Sequence, residues 1–415
     1  MIFFFYRILI NLIILISPII ILVRIIKNKE DPKRFKEKFC FFSKKKIKKK
    51  LLWFHGASVG EILSVIPLIE KFERDKNIHQ ILITSNTLSS SKIITNLKLK
   101  KTVHQFFPID SVNFSSQFLN YWKPSIAVFI DSEIWPNMIL NIKKRNIPLV
   151  LLNGRINKKS FNKWKRLGQT AKFLFGKFDA CYPSSNESKV HLKLLGIKKN
   201  KYIGNLKFTQ TEKNEITSYK KLNERILSKK IWCASSTHDS EERLAALTHK
   251  RIKKKYKDLI TVIIPRHVER TKIIIDELKD LKLKVHRHSS KEKIKKNIDI
   301  YFVDEYGKTK FFYKICKVVF LGGSIIKHGG QNPLEPARYG CKILHGPNIW
   351  NFHEIYELLK KYGVSDKINN VNQLTKLVNK NLNKKTNNLK IRSKIKKIGN
   401  SILSSTFKEI NSFIR

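Results

Sequence analysis

The sequence predicts an α/β protein built from two doubly wound parallel-sheet domains, and three observations predict it. Short apolar runs alternate with helix-like amphipathic stretches, the pattern of a parallel sheet wrapped by helices. The runs fall into two series separated by a polar, lysine-rich stretch, Lys213–Lys230. At 415 residues the chain is also too long for one ordinary core. The first series is Leu51–Phe54, Gln80–Thr84, Ile126–Ile130 and Leu149–Leu152. The second is Ile231–Ala234, Leu259–Ile264, Ile300–Val303, Val318–Leu321 and Lys342–Leu344. The expected organisation is a membrane-anchor segment 1–27, a first domain 28–212, and a second domain 213–415 that includes the final helix. Two such halves place ligands in a cleft between the carboxyl ends of their strands.

The amino-terminal segment differs sharply from the rest. Met1 to Val23 is nearly all Ile, Leu, Phe and Tyr, broken by Arg7, Asn11, Ser17 and Pro18. Its length is close to the ~20 apolar residues a spanning helix needs, and Arg7 with Ser17-Pro18 leaves a shallow or tilted anchor open. No small-x-small cleavage site follows, and Arg24, Lys27, Lys29 and Lys33 belong on the cytoplasmic side. Five scattered cysteines without a Cys-x-x-Cys pair suit a reducing compartment and imply neither a disulfide framework nor a zinc site. The body is therefore expected at the cytoplasmic face of a membrane.

The formal charge of +52 attracts phosphates of any kind: nucleic acid, anionic lipid headgroups or nucleotide-activated substrates. Lysine is nevertheless spread almost everywhere beside abundant Ile, Asn and Phe, as AT-biased coding also leaves it, and the two readings weigh equally. Runs such as Lys44–Lys50 and Arg251–Lys255 read as solvated faces. The interleaved aromatics of a single-strand binder are missing, so no nucleic-acid partner is expected.

In the second half, the apolar run Val318–Leu321 leads into Gly322-Gly323-Ser324, then Gly329-Gly330-Gln331-Asn332-Pro333-Leu334-Glu335-Pro336-Ala337. Glycines admit backbone N–H groups close to a ligand, so this stretch reads as a phosphate or sugar cradle. Asn332 and Glu335 fall where a helix is expected to begin, facing a bound group with its first free amides. A turn-rich linker fits the same residues. Further back, Asp239 is expected to cap a helix, with Glu242 at the reciprocal capping-box position. In Pro265-Arg266-His267 a guanidinium follows a strand end, and its planar fork suits a phosphate. His238 and His267 also fit structural histidines, and no metal-ligand spacing exists.

In the first half, Leu51–Phe54 runs through His55-Gly56-Ala57 into Ser58-Val59-Gly60-Glu61 and a helix with apolar positions Ile62, Val65, Ile66, Ile69 and Phe72. Glu61 thus falls in the first helical turn, where the helix dipole favours its ionised form and a carboxylate can serve as a base. An ordinary first-turn glutamate without chemistry fits that place as well. Asp131-Ser132-Glu133-Ile134-Trp135-Pro136 follows the Ile126–Ile130 strand directly, so Glu133 shares that end of the sheet. Arg155 and Lys207 are cations placed to receive negative charge, or are solvated surface.

Together these segments resemble the 3-deoxy-D-manno-octulosonic acid (Kdo) transferases, which add Kdo to the lipid A precursor of Gram-negative bacteria. Carrying the resemblance, in family order, are the anchor, Ser58-Val59-Gly60-Glu61, Ser132-Glu133-Ile134-Trp135-Pro136, Asn153-Gly154-Arg155, Ser236-Thr237-His238, Pro265-Arg266-His267, Gly322-Gly323-Ser324 and Asn332 to Ala337. It implies a GT-B fold: a Rossmann-like acceptor-binding half, a Rossmann-like CMP-Kdo-binding half, and a final helix packing back across. It also implies an inverting transfer at the inner membrane with no cofactor and no metal. The family's base falls on Glu61, with Glu133 and Lys207 as supporting catalytic residues. Its CMP contacts fall on Pro265, Arg266 and Asn332, Pro333, Leu334 and Glu335, with His267, Gly307, Gly323 and Ser324 counted beside them. The chain departs from the family's Gly-Glu-Leu at Gly307-Lys308-Thr309, where only a backbone contact survives, and Ser240 replaces a customary Gly. The alternatives are another GT-B transferase or an epimerase using a UDP-sugar, since glycine loops and Glu-Pro pairs are common to such folds. A membrane-bound RNA- or lipid-binding protein has only the charge and the anchor behind it.

Overall fold

Thirteen strands form two separate sheets in the computed structural model, which describes residues 2–47, 49–210, 228–290, 292–295, 297–382 and 388–414. The first sheet contains β1 (Leu51–His55), β2 (Gln80–Ser85), β3 (Thr102–Phe106), β4 (Ile126–Ile130), β5 (Leu149–Gly154) and β6 (Ala180–Pro183), in the order β3-β2-β1-β4-β5-β6. The second contains β7 (Ile231–Thr237), β8 (Ile260–Pro265), β9 (Val285–Arg287), β10 (Ile300–Phe302), β11 (Val318–Leu321), β12 (Lys342–His345) and β13 (Ser365–Lys367), in the order β13-β12-β11-β7-β8-β10-β9. Every pairing is parallel. Both sheets are covered by helices, so central strands such as β1, β4 and β11 are buried along their whole length.

The strand order reverses direction between β1 and β4 in the first sheet and between β7 and β11 in the second. At such switch points the loops leaving adjacent strands part in opposite directions and open a crevice at the carboxyl ends. Each unit therefore carries a ready-made site, and the motif residues of each half follow the strands that flank it.

The chain divides into Met1–Gln210 with Ile398–Arg415, and Thr211–Lys397. Most of the expected connection Lys213–Lys230 lies outside the described residues. Residues Ile398–Arg415, which the sequence reading kept with the second domain, pack with the first unit. Phe407 lies on Phe72 with ring centroids 4.6 Å apart, and Glu409 accepts from Tyr182 Oη at 2.8 Å and pairs with Lys201 at 2.6 Å. Gly399 makes this docking close: a Cβ there would lie 2.4 Å from the carbonyl oxygen of Phe208. The final helix thereby buttresses the short 3-10 turn Leu206–Thr209 that carries Lys207.

Among the described residues one helix, Ile2–Ile26, is long and apolar enough to cross a membrane.

Candidate active site

In the first unit the site grows from the end of β1. Ser58, in extended backbone, caps the helix Val59–Glu73 by accepting from the Glu61 amide at 3.4 Å. Glu61 answers: its Oε2 accepts from the Ala57 amide at 2.7 Å, and its Oε1 accepts from Ser58 Oγ at 2.7 Å. This is a reciprocal capping box, so the structural role open at the sequence level is real. The Ser58 amide also donates to Oε2, at 3.4 Å, so that oxygen takes two amides, while among the described residues Oε1 accepts only from Ser58 Oγ and keeps a lone pair for a further proton. Burial raises the Glu61 pKa above its usual 4.5; the Ser58 hydrogen bond opposes this, the charge of Glu133 adds to it, and the amides of Ala57 and Ser58 lower it.

Glu133 is held by two ring nitrogens. Its Oε2 accepts from Trp135 Nε1 at 2.7 Å and lies 3.1 Å from Nε2 of the fully buried His55. Behind His55 the pattern of donors fixes the tautomer of the neutral ring. Trp53 Nε1 can only donate, and it gives its proton to Thr84 Oγ1 at 2.9 Å. The Thr84 hydroxyl is then free to donate to His55 Nδ1, also at 2.9 Å, which leaves the ring proton on Nε2 and aimed at Glu133. Phe107 stacks on the His55 ring at 3.8 Å and keeps it in place.

Two residues absent from the sequence-level site belong here. His55 is one. The other is Asp131, directly after β4, held at φ +63° with its amide bonded to Leu152 O and its carbonyl accepting from the Arg155 amide. Its Oδ1 is buried and has no hydrogen-bond partner among the described residues. Burial pushes the Asp131 carboxyl up to about 6; Arg155 and Lys207 pull it down, and Glu61 and Glu133 push it further up. Lys207 responds in kind: burial lowers its pKa, Asp131 and Glu61 oppose that, and Arg155 adds to it. Glu61, Asp131, Glu133, Arg155 and Lys207 are thus one electrostatic group drawn from four separate loops. Lys207 is brought in from beyond β6 because Asn153 Oδ1, at the end of β5, accepts from the Leu206 amide at 3.1 Å. The position of Asp131 beside Glu133 was readable in the sequence; its burial was not.

In the second unit the glycine loop has a different use from the one its composition promised. The fully buried Glu241 takes four amides: His238 at 3.0 Å and Gly323 at 2.7 Å on Oε2, Ser324 at 3.1 Å and Ile325 at 2.9 Å on Oε1. The amides of Gly323 and Ser324, expected to meet a ligand, are already given to a carboxylate of the protein itself. Gly322 is required for this approach, since a Cβ there would lie 2.6 Å from Glu241 Oε2 and 2.3 Å from Ser236 O.

The cap assigned to Asp239 and Glu242 is also corrected. The helix Glu241–Lys253 starts after Ser240, which sits in left-handed backbone without a side-chain cap. Asp239 and Glu242 instead both hold Arg270, at 2.9 and 3.1 Å, because a guanidinium outcompetes a helix amide for an ionised partner.

An anion-binding surface remains, made by side chains. Pro265 ends β8, and the Arg266 amide bonds to Thr237 O at 2.9 Å while its exposed guanidinium makes no ion pair among the described residues. The buried His238 lies between His267 and His328, at 5.5 and 4.3 Å between ring centroids. Burial lowers the His238 pKa to about 4, and His328, His267, Arg266 and Arg270 lower it further, which marks the spot as electropositive. Asn332 Oδ1 accepts from the Leu334 amide at 3.1 Å, so it opens the helix Leu334–Arg338 that carries Glu335 behind the buried Pro333. Gly307, at φ +78°, is exposed with open space around it, which leaves its backbone accessible. Among the described residues no three His, Cys, Asp or Glu converge as metal ligands.

Comparison with known proteins gives the family and the fold. Residues 33–210 match the family model described as 3-deoxy-D-manno-octulosonic-acid transferase (kdotransferase). The 3-deoxy-D-manno-octulosonic acid transferase of Rickettsia bellii is 34% identical over 80% of this chain and 79% of its own length. The chain belongs to the 3-deoxy-D-manno-octulosonic acid transferase family. It is a glycosyltransferase, and the enzyme of Haemophilus influenzae bearing the same name is 30% identical over 74% of this chain and 73% of its own length. In fold the transferase is similar to the UDP-GlcNAc 2-epimerase of Neisseria meningitidis, with a TM-score of 0.56 at 15% identity over 88% of this chain and 99% of that one. This is the GT-B class of fold, as the sequence predicted.

Proposed function

We propose that the chain transfers Kdo from CMP-Kdo to the lipid A precursor, with inversion at the anomeric carbon, at the cytoplasmic face of the bacterial inner membrane. The observation that carries this reading is the oriented Glu61 carboxylate, raised in pKa and grouped with Asp131, Glu133 and Lys207 at the switch point of the first sheet. Glu61 takes the proton of an acceptor sugar hydroxyl. That oxygen forms the new bond to the anomeric carbon while the bond from the same carbon to the CMP phosphate oxygen breaks, and CMP leaves with the electron pair. Glu133, oriented by His55 and Trp135, and Lys207 stabilise the charge that develops.

The donor is assigned to the second unit. Arg266 and His267 meet its phosphate, Pro265 and the Asn332–Glu335 segment line the nucleotide, and the backbone of Gly307 supplies a further contact. Gly323 and Ser324 then act by shaping the loop rather than through their amides. The basic residues after the apolar helix face anionic headgroups and the phosphates of the acceptor.

The test is incubation of purified protein with CMP-Kdo and tetraacylated lipid A precursor, with products weighed by mass spectrometry. The expected result is a product heavier by whole Kdo units, competed by CMP and not by UDP. Turnover of a UDP-sugar instead, or competition by UDP, replaces this reading with the other GT-B reading.

A further inference from the structure

Helix Ile2–Ile26 has 25 residues and at ~1.5 Å per residue is long enough to cross a hydrocarbon core of ~30 Å. A crossing helix that keeps its basic end, Arg24 to Lys33, beside the body carries its first turns to the far side. In this structure those first turns are bonded to the body. Tyr6 Oη donates to Asp110 Oδ2 at 2.7 Å, Arg7 Nε donates to Asn137 Oδ1 at 3.3 Å, and Phe3 meets Phe173 edge-on with ring centroids 6.0 Å apart. Asp110 is an internal group of the fold: it is 2% exposed and also accepts from the amides of Asn137 and Met138. The basic end is tied down too, since Arg24 and Lys38 both pair with the buried Glu30. Between these ends the less exposed positions Phe3, Tyr6, Ile10, Ile14, Ser17 and Ile21 recur at steps of three and four, one stripe along the helix.

The opposite stripe is apolar and open. Phe4 is 63% exposed, Leu15 79%, Ile19 66% and Ile26 71%, with Ile8, Leu12 and Leu22 between them. Beside Phe3, the half-exposed Phe173 of the body extends this surface. A continuous apolar face of this kind marks a surface meant to be covered.

We propose that the helix is an in-plane anchor: it lies along one leaflet with its outer stripe among the acyl chains and does not cross the bilayer. Lipid is the occupant because the stripe ends in Arg24, Lys27, Lys29 and Lys33, cations at the level where anionic headgroups lie. The orientation has a consequence for the chemistry. Asn137, clamped by Arg7 and Asp110, is four residues beyond Glu133 on the same loop and helix start. The anchor therefore fixes the Glu133 loop at the membrane surface, where a lipid-linked acceptor presents its sugar. A cavity of about 540 Å³ at the seam, lined by Arg7, Asn11, Ser111, Asn113, Gln117 and Asn137, opens at the same level.

This inference rests on the anchor reading, and binding of the full chain to vesicles containing anionic lipid tests that reading separately. Orientation is tested by a Phe3→Cys, Phe173→Cys pair in intact membranes with a short bismaleimide; the five native cysteines are buried. The expected result is an internally cross-linked species of shifted gel mobility. A second variant, Ile2→Cys, is expected to stay unlabelled by a membrane-impermeant maleimide applied outside spheroplasts. Labelling of Ile2→Cys from outside, or no cross-link in membranes that hold the protein, overturns the in-plane anchor. Failure to bind vesicles, with the protein sedimenting as a dimer, overturns lipid as the occupant.

Discussion

His55 offers the sharpest test of how the first site works. In the His55→Phe variant the ring that stacks on Phe107 at 3.8 Å is kept in kind, while both of its nitrogens are lost. Glu133 Oε2 then keeps only the Trp135 bond at 2.7 Å and loses the partner at 3.1 Å, and the buried Thr84 hydroxyl loses the acceptor at 2.9 Å. A hydrogen bond to a charged group contributes ~1.5–3 kcal/mol, which as transition-state stabilisation is about 10- to 150-fold in rate. Because Trp135 still holds the carboxylate, the lower part of that range is expected in kcat. KM for CMP-Kdo is expected to stay unchanged, since the donor is assigned to other residues. The orphaned Thr84 hydroxyl costs about 1–3 kcal/mol of stability, so rates are compared well below the melting temperature of the variant. Steady-state kinetics with both substrates is the assay. A kcat within about twofold of the parent, in a variant shown to be folded, refutes the claim that His55 positions Glu133 for transfer.

Four further outcomes are expected. Glu61→Gln abolishes transfer while CMP-Kdo still binds by calorimetry, and retained activity removes Glu61 from the mechanism. In the parent, kcat falls as pH drops through the raised Glu61 pKa; Glu133→Gln removes a charge that raises it, so any residual activity of that variant has its acid limb at lower pH. Asp131 is held at about 6 against an ordinary 3.8, so its favourable contribution is full below 3.8 and lost as pH rises through about 6. Asp131→Asn is therefore expected to be more stable than the parent by about 1–3 kcal/mol at neutral pH, a gain that vanishes below pH ~4; a pH-independent difference in melting temperature argues against it. Glu241→Gln turns an amide NH₂ toward backbone donors and is expected to destabilise the second unit by about 2–5 kcal/mol in urea titrations, and a loss under ~1 kcal/mol would show the four amides find other partners.

The strands that escaped the sequence reading share one property. β3, β6, β9 and β13 are the four edges of the two sheets. A central parallel strand is covered on both faces and paired on both sides, so Ile126–Ile130 or Val318–Leu321 is written as an unbroken apolar run. An edge strand has one open side, and Thr102–Phe106 carries His104 and Gln105, while Ser365–Lys367 carries Asp366 and Lys367. Such short mixed segments give no periodic signal.

The site divides along a similar line. Glu61, Glu133 and the Arg266 turn were legible because strand, small-residue turn and helix are contiguous in the chain, and local order fixes which end of the sheet each side chain occupies. His55 and Asp131 were not, because each sits beside a named motif and gains its role from distant partners: Thr84 and Trp53 for one, Arg155 and Lys207 for the other. The glycine loop shows the limit most clearly. Composition established that backbone amides are exposed to something approaching closely; only the packing of Glu241 beneath them decided that the something is a carboxylate of the same chain. The apolar helix is the same case in reverse: its sequence determined that it is long and apolar enough to meet lipid, and the bonds from Tyr6 and Arg7 to Asp110 and Asn137 decided where its first turns lie on the first unit. Local sequence dictates what a segment can bury or bond, while the partner that satisfies it arrives from elsewhere in the chain and is known only once the fold has closed.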